Sequence, residues 1–550
     1  MLRSQGVLYA YNNYAAGLSE LWNSSSVASF CASTFALPTV VNGSVYIPTY
    51  ALTSASTCPL KASTPPRPAL SCCAGKALRP VSSLCNRPGR GPASARRRPA
   101  RSGKLRKGTY FMIIYNIRRS IALALCAGVA TVTAWAGPVT FRVVTVMNRY
   151  NSPFGIVEGS PGTFYFKSGY CAVFSVTTQG TKTFLTSFPS GYTAQSQVVS
   201  AADGRFYSDA EYTDLPSYIF SVTSTPGRQV HRAQDYAGFL AQNLPDGTLV
   251  GIGGSTQTFQ TYLIKADLGG VVTPIYQFPP SDRLPPNVLY GRDGNYYGVY
   301  YLSDGSGYAY QLNPSGSLTT LFNFPSGSFV GNPGIIPILQ GTDGSLYGTT
   351  PNGGTNGTGT IYKLTLAGQY TLLYTFPKNK TSYPTELIEG SDGNLYGATL
   401  GLIADGGSSL LFRITTSGQY TPLIEMNFGA QGGCPCRLTQ GSDGNIYGTA
   451  LSGGSTGGGV VFALEAGLPK PAPHPLQFQP QSGPVGTKVR IWGADLLSAS
   501  VAFNGVPTTI VSNSGPNYVF ATVPPGATTG PIAVTTPGGT SSAPGSFTVQ

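Results

Sequence analysis

Side chains able to do acid–base or nucleophilic chemistry are scarce in this sequence. It holds two histidines, nine cysteines and 21 acidic residues in 550. Neither His231 nor His474 has a serine or cysteine beside it in a nucleophile-like setting. Six cysteines (Cys31, Cys58, Cys72, Cys73, Cys85 and Cys126) precede residue 137. Cys171, Cys434 and Cys436 remain, too few for a disulfide framework or a zinc site. Asp392-Gly-Asn394 opens like an EF-hand loop but lacks the later acidic ligands, so no metal and no cofactor is expected. The repeated aspartate reads instead as a turn residue.

What would position any site is a phrase that recurs. Gly341-Thr-Asp-Gly-Ser-Leu-Tyr-Gly-Thr-Thr350, Gly390-Ser-Asp-Gly-Asn-Leu-Tyr-Gly-Ala-Thr399 and Gly441-Ser-Asp-Gly-Asn-Ile-Tyr-Gly-Thr-Ala450 are close copies. Asp293-Gly-Asn-Tyr-Tyr-Gly298 is a fourth, and worn versions stand at Asp246, Asp203 and Ser160. From Asp203 to Asp443 the aspartates are 43, 47, 50, 49 and 51 residues apart. Asp-Gly between two apolar runs is a hairpin signal, because both residues accept the positive φ of a tight turn. Around it each unit reads as four short strands, in the sixth copy 386–389, 394–398, 410–415 and 420–424. A four-stranded meander repeated every 45 residues or so is a propeller blade.

The expected fold is therefore all-β, a seven-bladed β-propeller over residues 137–466. The seventh copy lacks a fourth strand, and a fourth-strand phrase stands first, at Val139-Thr-Phe-Arg-Val-Val-Thr-Val146. That strand is predicted to complete the last blade and close the ring, which removes an open edge. His231 then falls on a fourth strand, farthest from the channel.

Three features of this ring invite a functional reading. At the end of strand one, before the turn glycine, stand Glu158, Ser200, Asn243, Tyr290, Gln340, Glu389 and Gln440. They form either a binding ring at one channel mouth, with Glu158 and Glu389 as an acid pair, or a set of solvated strand ends. Cys171, in the loop between strands two and three of blade one, and Cys434-Pro-Cys436, on the connection into blade seven, belong to neighbouring blades. A disulfide from Cys171 to Cys434 or Cys436 would staple the ring in an oxidising compartment; the plainer reading is three small buried residues. Gly-rich loops between strands two and three, such as Asn352-Gly-Gly-Thr-Asn-Gly-Thr-Gly359, precede no helix N-terminus and so cradle no phosphate.

Charge divides the chain. Residues 1–111 carry 14 Lys/Arg against Glu20 alone, whereas residues 137–550 carry 18 against 20 acids. The basic excess therefore belongs to an appendage, and no nucleic-acid partner is expected. Residues 56–111 are rich in Pro, Ser, Cys and Arg and read as disordered. Residues 112–136 have the plan of a secretory signal peptide: Arg118-Arg119, an apolar run from Ile121 to Val132, and Ala134-Trp-Ala136 before Gly137. The run is too short for a membrane span. Met112 is thus the expected start, with cleavage between Ala136 and Gly137 and a secreted or cell-surface product.

Three stretches resemble known families. Residues 1–55, with Gly6-Val-Leu-Tyr-Ala-Tyr-Asn12 and Pro38-Thr-Val-Val-Asn-Gly-Ser-Val-Tyr-Ile-Pro-Thr49, resemble a blade of PQQ-like quinoprotein propellers, too little to carry over a cofactor site. The copies at 335–365, 386–415 and 437–465 resemble the GloVer tandem repeat of exported bacterial proteins, which end in varied C-terminal anchors. No anchor of that kind precedes Gln550, so it is missing or replaced by the last module. After a Pro-rich linker at 467–475, residues 476–550 closely resemble an IPT/TIG domain, an Ig-like sandwich, in phrases such as Gln479-Pro-Gln-Ser-Gly-Pro-Val-Gly-Thr-Lys-Val-Arg-Ile-Trp-Gly493. Family membership implies no reaction; the tyrosine-rich, near-neutral chain suits a non-catalytic exported scaffold that binds polysaccharide or a surface protein. A propeller lyase or hydrolase acting in the channel and a purely structural extracellular module are the alternatives. Propeller lyases that inactivate streptogramins share such Asp-Gly repeats, but no histidine here is placed to act in the channel.

Overall fold

The computed structural model describes residues 139–550 apart from 150, 170–171, 189–196, 213–214, 233–235, 256–259, 280–287, 330–336, 379–382, 402–407, 510 and 514, together with six short strands between Leu2 and Cys58. Cys171, Ala136, Gly137 and the predicted signal segment 112–136 lie outside the described residues. The chain divides into two compact units, residues 34–133 and residues 1–33 with 134–550. In the smaller, Thr39–Val41, Ser44–Ile47 and Ser56–Cys58 form one three-stranded sheet. In the larger, Leu2–Ser4, Val7–Tyr14 and Gly17–Asn23 form another.

From Thr140 to Glu465 the larger unit forms seven four-stranded antiparallel sheets. The sixth consists of Pro384–Glu389, Leu395–Thr399, Ser409–Ile414 and Tyr420–Met426, within two residues of the predicted bounds. All described elements are strands, and no helix among the described residues is long and apolar enough to cross a membrane.

The recurring phrase folds on itself. Asp343 Oδ1 accepts from the Ser345 amide at 3.0 Å, while Oδ2 accepts from Tyr347 Oη and Lys363 Nζ, each at 2.8 Å. Gly344 takes φ of +79° in the turn. Asp203, Asp293, Asp392 and Asp443 likewise hold the tyrosine four residues on, at 2.6–2.9 Å. Burial raises the Asp343 carboxyl, but the bonds from Lys363, Ser345 and Tyr347 outweigh it and bring the pKa to about 2. The glycine after the tyrosine is a packing requirement: a Cβ on Gly348 would lie 2.3 Å from Tyr362 Oη. Each residue type in the phrase thus has a mechanical reason.

Apolar clusters join each sheet to the next. Tyr297, Val299 and Ala309 of the fourth meet Leu346, Tyr362 and Leu364 of the fifth. Tyr347 and Ile361 of the fifth meet Leu387, Leu395 and Phe412 of the sixth. Phe164, Phe166 and Val176 of the first meet Tyr447, Val461 and Ala463 of the seventh. On the outer strands Phe322 stacks on Tyr370 at 4.1 Å and Tyr374 on Tyr420 at 4.0 Å.

The seventh sheet takes its fourth strand from the N-terminal side. Thr140–Val146 pairs with Val460–Glu465 from Val460↔Val146 to Glu465↔Thr140. Phe141 stacks on Phe462 at 5.2 Å, and Arg142 Nε lies 3.1 Å from Glu465 Oε1. This strand also meets the first sheet as other fourth strands meet their neighbours. The turn glycines Gly368 and Gly418 lie against the carbonyls of Leu321 and Leu373, and Gly180 of the first sheet lies against that of Val144.

Residues 474–549 form two further four-stranded sheets. One has the order Val511–Asn513, Tyr518–Thr522, Lys488–Ala494, His474–Gln479; the other Gly539–Ser542, Ile532–Thr536, Ser500–Phe503, Val506–Pro507. They share a core of Phe478, Val489, Ile491, Val501, Phe503, Val519, Ile532, Val534 and Phe547. Pairing begins at His474, inside the span read as linker, because Gly493 has no Cβ to hold off the His474 carbonyl.

If Thr140–Val146 holds the seventh sheet, Phe141→Ala removes a ring from that seam. Phe141 is only partly buried, so a loss below the ~3–5 kcal/mol of a fully buried ring is expected in denaturant unfolding, and an unchanged midpoint would show that this ring does not hold the seam.

Candidate functional site

The seven polar residues at the ends of the first strands divide into two sets. Glu158, Gln340, Glu389 and Gln440 each clasp the turn of the preceding sheet. The Ser442 amide donates to Glu158 Oε2 at 2.6 Å and its hydroxyl to Oε1 at 2.8 Å. The Arg292 amide donates to Gln340 Oε1 at 2.9 Å. Thr342 donates its amide and hydroxyl to Glu389 at 2.8 and 2.6 Å. The Ser391 amide donates to Gln440 Oε1 at 2.9 Å. In all four the donor directly follows the first glycine of the phrase. Glu158 and Glu389 serve separate junctions, of sheets seven with one and five with six. Burial pushes the Glu158 carboxyl above its ordinary range, against the pull of bonds from Gly162 and Ser442.

Ser200, Asn243 and Tyr290, at the equivalent ends of sheets two to four, face the C-terminal module instead. Trp492 Nε1 donates to Asn243 Oδ1 at 2.9 Å, and Asn243 Nδ2 donates to the Ser200 carbonyl at 2.8 Å. Ser200 Oγ donates to Asn517 Oδ1 at 2.9 Å. The Trp492 ring meets that of Tyr290 edge-on at 5.9 Å. Tyr518 Oη donates to the Leu244 carbonyl, and Arg490 Nη1 to that of Asp246 at 3.0 Å. On sheets six and seven, Ser391 Oγ and Gln440 Nε2 donate to the Pro469 carbonyl at 2.6 and 3.3 Å. The connecting segment thus lies against sheets six and seven, and the module against sheets two to four.

Ionisable groups that the sequence reading did not single out lie between neighbouring sheets. Lys167 is fully buried and donates to Ser208 Oγ at 2.8 Å and to the Asp209 carbonyl at 3.0 Å, with Asp209 Oδ1 at 3.3 Å. Arg437 Nη1 lies 2.6 Å from Glu386 Oε2, and the Leu438 amide donates to Glu386 Oε1. Burial pushes the Glu386 carboxyl up while Arg437 draws it back. A charge inside an apolar strand, as in Thr163-Phe-Tyr-Phe-Lys-Ser168, was the available signal. Cys434 is buried at φ of +55°. Cys436 Sγ sits 3.2 Å from Thr449 Oγ1, and burial pushes its thiol up to about 11, away from the thiolate a nucleophile needs.

His231 lies on the predicted fourth strand, its Nε2 3.2 Å from Ser221 Oγ. Burial, and then Arg205, lower its pKa. The His474 pKa is raised by the Asp495 carboxylate, whose Oδ2 is 3.6 Å from Nδ1.

A family profile described as the Gloeobacter/Verrucomicrobia repeat matches residues 284–469, the stretch holding the four clearest copies of the phrase. No curated protein matches the chain. Among solved structures it is similar to YCF48 bound to D1 peptide (14% identity, 60% of this chain and 96% of that one, TM-score 0.40). It is also similar to the WD40 β-propeller domain of Doa1 (11%, 59% and 97%, 0.40) and to an oligogalacturonate lyase in complex with manganese (14%, 59% and 90%, 0.41).

Two outcomes follow. Trp492→Phe and Asn243→Ala should each cost about 1–3 kcal/mol by stranding a buried partner. The double variant should cost less than the sum, since one bond is lost only once; strict additivity would refute the contact. The histidines should act on stability with opposite signs. His231, depressed in the folded chain, loses its contribution as pH falls through the unfolded value of about 6.5. His474, raised, contributes below that value and loses its contribution as pH rises through the folded pKa. The melting-temperature gap between wild type and His231→Gln should therefore be narrower at pH 5.5 than at pH 8, and the gap for His474→Gln wider. Two flat gaps would remove both assignments.

Proposed function

We propose that residues 139–466 form a seven-bladed β-propeller closed by its N-terminal strand and that residues 474–550 are an Ig-like, IPT/TIG-type sandwich. The protein is exported through the segment 112–136 and acts outside the cytoplasm as a non-catalytic scaffold that binds polysaccharide.

One observation carries this reading: the polar groups best suited to act on a substrate are committed to structure. Glu158 and Glu389 hold turns of adjacent sheets. Glu386 and Asp209 face buried cations. Asn243 and Ser200 hold the C-terminal module. A carboxylate needs a free lone pair and access to substrate to act as general base, and these carboxylates face neighbouring strands. What remains for a partner is surface, rich in exposed glycine, hydroxyl and amide groups, of the kind on which β-scaffolds place binding loops. A surface protein is the alternative partner.

Affinity electrophoresis of the full chain through gels containing neutral or charged polysaccharides tests this. Retardation by at least one polymer, with no release of reducing sugar or unsaturated product, is the expected result. Chain cleavage during the run would return the lyase or hydrolase reading, and unretarded migration in every gel would leave a structural module or a protein binder.

A further inference from the structure

The outward face of one C-terminal sheet continues past the contact with the repeats. Its register sets Trp492 opposite Tyr518, and one rung along sets Gln479 opposite Arg490 and Arg490 opposite Phe520. Side chains two apart on a strand share a face, so Lys488 is next after Arg490. The first rung is engaged, Trp492 with Asn243 and Tyr518 with Leu244. Arg490 marks the boundary, with Nη1 on the Asp246 carbonyl. Beyond it opens a cleft of about 610 Å³ lined by Gln479, Pro480, Gln481, Lys488, Arg490 and Phe520.

That lining has two cations, one aromatic ring, two amides and no carboxylate. Its volume lies in the roughly 300–1,000 Å³ range of small-ligand sites, and it is open rather than enclosed, as a polymer requires. Lys488 Nζ rests 4.7 Å from the Phe520 ring centroid. Such a contact at an exposed site is worth about 0.5–1 kcal/mol, so an arriving carboxylate readily draws the ammonium away and uncovers the ring. Arg490 uses one of its guanidinium nitrogens on Asp246 and retains donors on the others.

We propose that this cleft binds a carboxylated sugar segment of an acidic polysaccharide. Lys488 and Arg490 meet the carboxylate, the Phe520 ring takes the apolar face of a pyranose, and the Gln479 and Gln481 amides meet hydroxyls. The ring and the paired amides favour a saccharide over an acidic peptide, which needs charge alone. This assignment rests on the scaffold reading and names the ligand class for it.

The test uses the full chain with alginate as the polyuronate probe, dextran as the neutral one and poly-glutamate as the charge control. Lys488→Glu and Phe520→Ser lie outside the module's core, and their melting temperatures should match wild type. Wild type should be retarded by alginate, with weakening in added salt, and each variant should lose at least tenfold in affinity. Equal binding by the variants would place alginate elsewhere and overturn the cleft while keeping the scaffold reading. Equally tight binding of poly-glutamate would overturn the saccharide assignment. Retardation by dextran without alginate would overturn the acidic class and leave the scaffold reading intact. Binding to no saccharide at all would remove both.

Discussion

Each repeat sheet is apolar on both faces, and that constraint orders the rest of the molecule. The second strands Tyr296–Tyr301, Leu346–Thr350 and Leu395–Thr399 are buried along their whole length, with no solvent side to alternate toward. A sheet of this kind is stable only between two others. Five of the seven obtain both neighbours from sequence order. The first and last must find each other, and Phe164 against Tyr447 at 4.1 Å is one contact by which they do. The same constraint governs the charges between sheets. Lys167 with Asp209 and Glu386 with Arg437 lie where water is excluded, and a buried charge there is tolerable only with its partner and further hydrogen bonds in place.

Packing of this density also decides what the polar rim can do. In four of the phrases the amide after the first glycine has no strand partner of its own and takes its acceptor from a side chain. Glu158, Gln340, Glu389 and Gln440 supply the acceptor from the next sheet. The rim is therefore a set of seams before it is a surface, and its chemistry follows from that duty.

Much of this was legible in the sequence. Asp-Gly between apolar runs gives the turn, but the lock of the aspartate on the tyrosine four residues on is not read from it. Counting fourth-strand phrases located the pairing of Thr140–Val146 with Val460–Glu465. The rim positions were found as well, but not their partners. A hydrogen bond from Ser442 to Glu158 spans 284 residues, and no local pattern records it. Trp492 was misleading in another way: in Arg490-Ile-Trp492, alternation marks Ile491 as core, yet Trp492 is buried too, under the repeats rather than inside the module. Composition shows that an aromatic will be covered, not by what.

The departures from the repeat consensus then acquire a physical sense. Seven identical rims would offer the C-terminal module seven equivalent seats, and a module that fits all of them is fixed in none. Specific docking requires some seats to differ, and a difference of about 1.4 kcal/mol already favours one tenfold. Ser200, Asn243 and Tyr290 stand where the stricter copies carry glutamate or glutamine, and these three meet Asn517 and Trp492. A glutamate at position 243 would present an acceptor to Trp492 but could not also donate to the Ser200 carbonyl, as Asn243 Nδ2 does. Where the sequence keeps the consensus the sheets clasp one another; where it leaves the consensus they clasp the module. The symmetry of the repeats is thus broken at sheets two to four, where Ser200, Asn243 and Tyr290 stand.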